Sequence, residues 1–208
     1  PDLVFAHSKA KWQHLVQEIQ QIHATGRPVL IGTRSVRDSE LLSRSLIACH
    51  LDHQVLNAVR HQEEAQIVAN AGQEGRITVA TNMAGRGTDI KLGRGIAELG
   101  GLHVIAAERN ESGRIDRQLF GRCARQGDPG SAQATVSLDD EFVSRYCPGL
   151  IRYLKKRCAG TSDDISSRLT RTAFRWAQLR AERFALQQRK SVMRADHWLE
   201  ENLGFAGK

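Results

Sequence analysis

Apolar positions along the chain recur in two rhythms. From Ser8 to His23, Trp12, Leu15, Val16, Ile19 and Ile22 fall three or four apart, the spacing of a helix with one apolar face. Thr25-Gly26 closes that helix, and Arg27-Pro28 leads into Val29-Leu30-Ile31, a short strand. Gly32 to Ser35 reads as a turn, and Val36, Leu41, Leu42, Leu46 and Ile47 place a helix over 36–49. A second short strand covers 54–57, a short helix 63–71, and Gly72-Gln73-Glu74-Gly75 is a loop. Ile77 to Ala80 and Leu102 to Ala107 are apolar runs of strand length, separated by a glycine-rich loop. A helix from about Glu111 to Cys123 precedes a fifth strand, Ala132 to Leu138.

Strand and helix thus alternate from residue 28 to 138, and the strands are too apolar to face water on either side. That pattern predicts an α/β fold, a parallel sheet of about five or six strands with helices on both faces. Right-handed crossovers then put every strand-to-helix loop on one edge, so 32–35, 57–62, 81–89 and 108–111 should line a common rim. After Leu138 the pattern changes. Asp139 to Tyr153 reads as helical, interrupted at Pro148-Gly149, and 154–164 is a polar junction. From Ile165 to about Leu203 there is neither Pro nor Gly, and Leu169, Ala173, Trp176, Ala177, Ala181 and Phe184 predict one long amphipathic helix. Trp176 and Phe184 are expected to bury it against the domain, with arginines 168, 171, 175, 180 and 183 on its polar side. The expected division is 1–140 for the sheet domain and 141–208 for a helical extension.

Composition alters this picture in three places. The 208 residues suffice to bury a core, and the start at Pro1 points to a piece of a longer protein. The net charge of +7 is concentrated: residues 150–194 hold 12 Lys/Arg against 3 Asp/Glu, and the rest is near neutral. Such a basic face meets nucleic acid, an anionic membrane or an acidic partner, or is simply solvated. The four cysteines form no CxxC pair, which argues against zinc and for a reduced, cytosolic setting. No apolar run approaches the length of about 20 residues that a membrane span needs.

Two stretches carry chemistry. The strand at 77–80 runs into Thr81-Asn82-Met83-Ala84-Gly85-Arg86-Gly87-Thr88-Asp89. Gly85 and Gly87 permit a sharp turn or close approach to a ligand. Arg86 and Asp89 put opposite charges at the carboxyl end of a strand, where open α/β sheets bind ligands. The second stretch is Gly121-Arg122-Cys123-Ala124-Arg125-Gln126-Gly127-Asp128. On a helix Arg122 and Arg125 would project from one face, either as a phosphate-binding pair or as surface arginines matched to carboxylates. His103, inside a strand, reads as a core or rim histidine, and Met83 as packing. Ser35, His61 and Asp89 make no catalytic triad, because no nucleophile-elbow sequence accompanies them.

In combination, the two stretches resemble motifs V and VI of the second RecA-like domain of superfamily 2 motor ATPases. The wording from Ala80 to Ile90, and Gly121-Arg122 with Arg125-Gln126-Gly127-Asp128, is similar to that of the SecA family of bacterial preprotein translocation ATPases. Pro28 to Thr33, Val55 to Ala58 with His61, and Glu108-Arg109 with Glu111-Ser112 fall in the same order. The likeness covers residues 1–140 closely and continues weakly over 165–203, which is similar to the start of the family's long scaffold helix. Ala124 stands where members usually have glycine, and Arg94 likewise.

The resemblance implies an ATPase whose ATP site is shared between two RecA-like halves. The chain has no G-x-x-x-x-G-K-[ST] phosphate loop and no Asp-Glu magnesium motif after a strand, which belong to the first half. By resemblance, Arg122 and Arg125 would be catalytic arginine fingers reaching the γ-phosphate of ATP. Asp89 would touch the ribose or the nucleotide-sensing network, with Gln126 also at the nucleotide, and Gly85 and Arg86 would couple the sites. Mg2+ would be held mainly by the first domain, and no metal site is expected in this half. The implied partners are the first RecA-like domain of the same protein, a preprotein substrate and a membrane translocation channel. The implied location is the bacterial cytoplasm with peripheral attachment to the inner membrane. The isolated half should not hydrolyse ATP. The alternative is the matching half of a superfamily 2 RNA or DNA helicase, under which nucleic acid becomes the partner.

Overall fold

The computed structural model describes residues 2–56, 61–81, 89–124, 127–158, 160 and 164–203. Six parallel strands form one sheet in the order β1-β6-β5-β2-β4-β3. They are β1 (Asp2–Phe5), β2 (Val29–Thr33), β3 (Gln54–Leu56), β4 (Ile77–Thr81), β5 (Leu102–Ala106) and β6 (Gly130–Ser137). The helices are α1 (Ser8–His23), α2 (Val36–Ala48), α3 (His61–Asn70), α4 (Gly113–Phe120), α5 (Glu141–Tyr146), α6 (Pro148–Arg157) and α7 (Arg168–Leu203).

Alternate side chains of the central strands feed two separate cores. Val29, Ile31, Ile77, Val79 and Ile105 pack with Leu15, Val16 and Ile19 of α1 and Leu42 and Leu46 of α2. Leu30, Ala80, Leu102, Val104 and Ala106 point the other way, towards Leu119 of α4, Phe142 of α5, Ile151 of α6 and Phe174 of α7. Both faces are covered, so every residue of β2, β4 and β5 is buried.

The strand that the apolar pattern does not reveal is β1, four residues at the sheet's edge. It is held by parallel pairing of Asp2–Phe5 with Ala134–Ser137. The chain returns to it 160 residues later: the Ile165 N–H donates to the Val4 carbonyl at 2.7 Å, and Asp164 Oδ1 accepts from the Val4 N–H at 3.0 Å.

Glycines set several close approaches. A Cβ on Gly101 would lie 1.7 Å from the Pro129 carbonyl oxygen, and its φ of +69° already favours glycine. A Cβ on Gly72 would meet the Lys91 carbonyl at 2.3 Å, which fixes the path of the chain leaving Asp89.

The long helix forms as expected but turns a different face inward. Ala173, Phe174, Ala177 and Ala181 are buried, whereas Trp176 is 54% and Phe184 44% exposed. The three alanines let α7 lie close on the domain, and Phe174 supplies the large anchor. The wider side chains are then left outside this close contact. The arginines at 168, 171, 175, 180 and 183 are exposed, and Arg180 reaches back to donate to the Tyr146 carbonyl of α5 at 3.1 Å.

Candidate functional site

All six strands run the same way, so the chain leaves β2, β4 and β5 at one edge of the sheet. At the end of β2, Ser35 caps α2: its Oγ accepts from the Asp38 N–H at 3.1 Å. At the end of β5, the Ala107 N–H donates to the Gly32 carbonyl at 2.9 Å. Arg34 from the first loop and Glu111 from the second approach to 3.5 Å. The loops after β2 and β5 therefore share a rim, as the crossover argument requires.

The segment bearing Arg122 is held by two glycines at different levels of the sheet: Gly32 near the rim end of β2, and Gly130 at the start of β6, level with the start of β5. Leu119 of α4 rests on Gly32, where a Cβ would come within 2.4 Å of its Cδ2. The Cys123 carbonyl lies against Gly130, where a Cβ would be 1.8 Å away. Between these two contacts sits Arg122. It does not stand on the helix itself, which ends at Phe120 rather than near Cys123. Gly121 takes the cap position, and Arg122 and Cys123 follow in a turn, their N–H groups donating to Leu119 and Phe120 carbonyls at 3.1 and 3.2 Å. The helical-face argument for an Arg122 and Arg125 pair thus gives way to a turn at Arg122.

Asp89 is partly buried and precedes Ile90, which is inserted in the core. β4 and β5 are the two neighbours of β2, so the strands that precede both signature stretches lie on either side of it. Gly85, Arg86, Arg125 and Gln126 lie outside the described residues. His103 is a buried core histidine whose Nδ1 meets Ser131 Oγ at 2.7 Å.

A buried ion cluster beneath the rim escapes the motif reading. Lys11 of α1 is 1% exposed, and its Nζ donates to Asp140 Oδ1 at 2.7 Å and to the Ala107 carbonyl at 3.2 Å. Glu108 Oε1 stands 3.6 Å from the same Nζ. Asp140 also accepts from the Ser137 N–H at 2.9 Å and the Ser137 hydroxyl at 2.7 Å. One signal was present in the sequence: Lys11 lies four and eight positions before Leu15 and Ile19, on the core face of its helix.

Burial, and then the nearby charge of Asp140, push the Glu108 carboxyl up to about 7, against the pull of Lys11. The folded state therefore keeps a proton that the unfolded carboxyl loses near its ordinary value of about 4.3. Stability is present below that lower value and declines as pH rises through about 7. Glu108→Gln should remove this slope. Thermal unfolding of the variant should be flatter between pH 5 and 8, with a gain at pH 8 of about 1–3 kcal/mol. An unchanged slope would place the titration elsewhere.

The fold and the site can be set beside known proteins. The SecA P-loop domain family matches residues 1–97 and 94–164. The protein translocase subunit SecA 2 of Chlorobium chlorochromatii is 47% identical over 209 residues, covering 98% of this chain and 31% of that protein. The protein translocase subunit SecA 3 of Magnetococcus marinus is 49% identical over 195 residues, covering 93% of this chain and 30% of that protein. The chain thus spans about a third of the length of these relatives.

Among solved structures, the Escherichia coli DEAD-box protein SrmB, crystallised with the regulator of ribonuclease activity A, superposes with a TM-score of 0.55. It shares 22% identity over 67% of this chain and 78% of that one. The yeast DEAD-box splicing factor Prp28 gives a TM-score of 0.55 at 16% identity, over 84% of this chain and 36% of that one. Likeness at these identities speaks to the RecA-like fold alone. Family membership rests instead on the match across residues 1–164, which contains every strand and both signature stretches: the chain belongs to the SecA P-loop domain family.

Proposed function

We propose that residues 1–140 are the second RecA-like half of the motor of a SecA-type translocation ATPase, and that 141–208 begin its helical scaffold. The observation that carries this reading is the six-stranded parallel sheet bearing both signature stretches in order, in a chain 47–49% identical to SecA translocase subunits. The first RecA-like domain of the same protein completes the ATP site and holds most of the Mg2+ coordination.

The donor set on this side fits the outer wall of such a site. Arg122 and Arg125 offer guanidinium groups to the transferring phosphate, where negative charge grows as the bond breaks. Asp89 offers a carboxylate to a ribose hydroxyl, and Gln126 an amide. Gly85 and Arg86 form the coupling loop between the nucleotide and the rest of the motor. Bound ATP with its Mg2+ supplies the phosphoryl group and its leaving group. This chain's residues orient and neutralise it, without a phosphate loop of their own. Alone, the 208 residues hydrolyse no ATP.

The work of the motor is preprotein transport through a membrane channel, from the cytoplasm at the inner membrane. Among the described residues no helix is long and apolar enough to cross a membrane. On the SecA-type reading, ATP hydrolysis by the full-length protein should rise with unfolded preprotein and not with single-stranded RNA or DNA. Stimulation by nucleic acid alone, lost steeply as salt rises, would move the chain to the helicase class.

A further inference from the structure

The long helix touches the sheet domain at one polar point that the motor chemistry above leaves unused. Gln178 of α7 donates through Nε2 to Asp116 Oδ2 at 2.8 Å and to the Asn110 carbonyl at 2.9 Å. One turn further along α7, Glu182 Oε1 accepts from the Gly113 N–H at 2.9 Å. Gly113 is the first residue of α4. A Cβ there would meet Gln178 Oε1 at 3.2 Å, so the start of α4 lies directly on α7.

Asp116 is the hub of this contact. It is 2% exposed and belongs to α4. Its Oδ1 accepts from the Asn110 N–H at 3.0 Å and from Asn110 Nδ2 at 2.9 Å. Its Oδ2 accepts from Arg109 Nη1 at 3.1 Å as well as from Gln178. Arg109 in turn donates through Nη2 to Asp2 Oδ1 at 2.6 Å and stacks over Phe120, the last residue of α4. The loop after β5, the edge strand β1, the whole of α4 and the long helix are thereby tied to one buried carboxylate.

Such a hub has little slack. A buried carboxylate that loses a donor bears the desolvation of its unmet lone pair, so the cluster holds its members in one arrangement. The opposite end of α4 is pinned by Leu119 on Gly32, and Arg122 follows three residues later. One end of α4 is thus set by α7 and the other by the sheet. The arginine segment takes its position from both.

We infer that Gln178 and Glu182 are positioning residues for ATP hydrolysis: they seat α4 so that the turn after it presents Arg122 to the nucleotide. This rests on the arginine reading given above. It also makes the long helix a working part of the ATP cleft rather than an appendage. A misplacement of about 1 Å far from the chemistry can cost about 10²-fold in rate, so loss of either contact should be felt in turnover and not in ATP affinity.

The test uses the full-length protein. Gln178→Ala and Glu182→Ala should each lower kcat for ATP by about 10–100-fold while KM changes less than about 2-fold. Glu182→Gln, which keeps an acceptor oxygen for the Gly113 N–H, should restore most of the loss. Normal kcat in both alanine variants would overturn the proposal. So would a loss that only tracks the fraction of unfolded protein, or a Glu182→Gln variant as slow as Glu182→Ala. Arg125→Ala, assayed alongside, separates the two levels. If it abolishes turnover while Gln178→Ala and Glu182→Ala stay normal, only this inference falls. If Arg125→Ala turns over normally, the arginine reading falls and takes this one with it.

Discussion

Arg125→Ala in the full-length protein should lower the ATP turnover number by about 10³–10⁵-fold, with ATP still bound. That range is what an arginine finger contributes to phosphoryl transfer, and it corresponds to about 4–7 kcal/mol of barrier. The reasoning is electrostatic. Charge on the transferring group is spread over three oxygens, and a guanidinium placed there beforehand needs no reorganisation at the moment of reaction. Arg122→Ala should act in the same direction, since its turn is fixed on either side by Leu119 against Gly32 and Cys123 against Gly130. Single-turnover rates and nucleotide affinity, measured separately, decide the matter. A variant that loses affinity but keeps its turnover number would make these arginines binding residues only.

Lys11→Met should be the most damaging change to stability away from the rim, costing about 3–5 kcal/mol, the usual cost of breaking a buried ion pair from one side. Methionine fills a similar volume, so the loss comes from charge and not from a cavity. Without Lys11, Asp140 keeps only its Ser137 partners among the contacts described above, and the Ala107 carbonyl loses a donor. Glu108 responds by holding its proton more firmly, which limits the damage to one uncompensated carboxylate. At about 2–4 °C per kcal/mol for a chain of this size, the melting temperature should fall by at least about 6 °C. A loss below about 1 kcal/mol, the level of an exposed pair, would mean that water reaches the cluster.

Most of the sheet is legible in the sequence because its central strands are buried on both sides. Val29–Ile31, Ile77–Ala80 and Leu102–Ala106 have no polar alternation to confuse them with anything else. The edge strand β1 lacks that signal. Four residues carry no periodicity, and what makes them a strand is pairing with Ala134–Ser137, far along the chain. The long helix shows a similar split. Its existence follows from the absence of Pro and Gly, but its inward face does not follow from size. Size alone makes Trp176 the expected anchor, whereas three alanines with Phe174 make the contact. Packing distance, not hydrophobicity, decides which face lies down.

The candidate site divides along the same line. Gly-Arg-Gly-Thr-Asp and Gly-Arg-x-x-Arg are local words and can be read locally. Lys11, Asp140 and Glu108, or Asp116 with Gln178, are meaningful only as sets: Lys11 lies 129 positions from Asp140, and Asp116 lies 62 from Gln178. The end of α4 differs from the expected one for a local reason. Apolar and long polar residues through Cys123 read as helix, but Gly121 sits at the cap and ends it a turn early.

The 36 residues of α7 give the helix a length of about 54 Å. Among the described residues its last buried one is Ala181 and Glu182 still reaches Gly113, so residues 183–203 run on for about 32 Å. These are the proportions of a lever with its pivot at Ala173–Ala181 and a short arm at the start of α4. A tilt of about 10° about that pivot swings the far tip by roughly 6 Å, while the arc at Gln178 stays within a fraction of an ångström. A rotation small enough to leave the Gln178 contact in place is thus several ångströms wide at the far end of the helix.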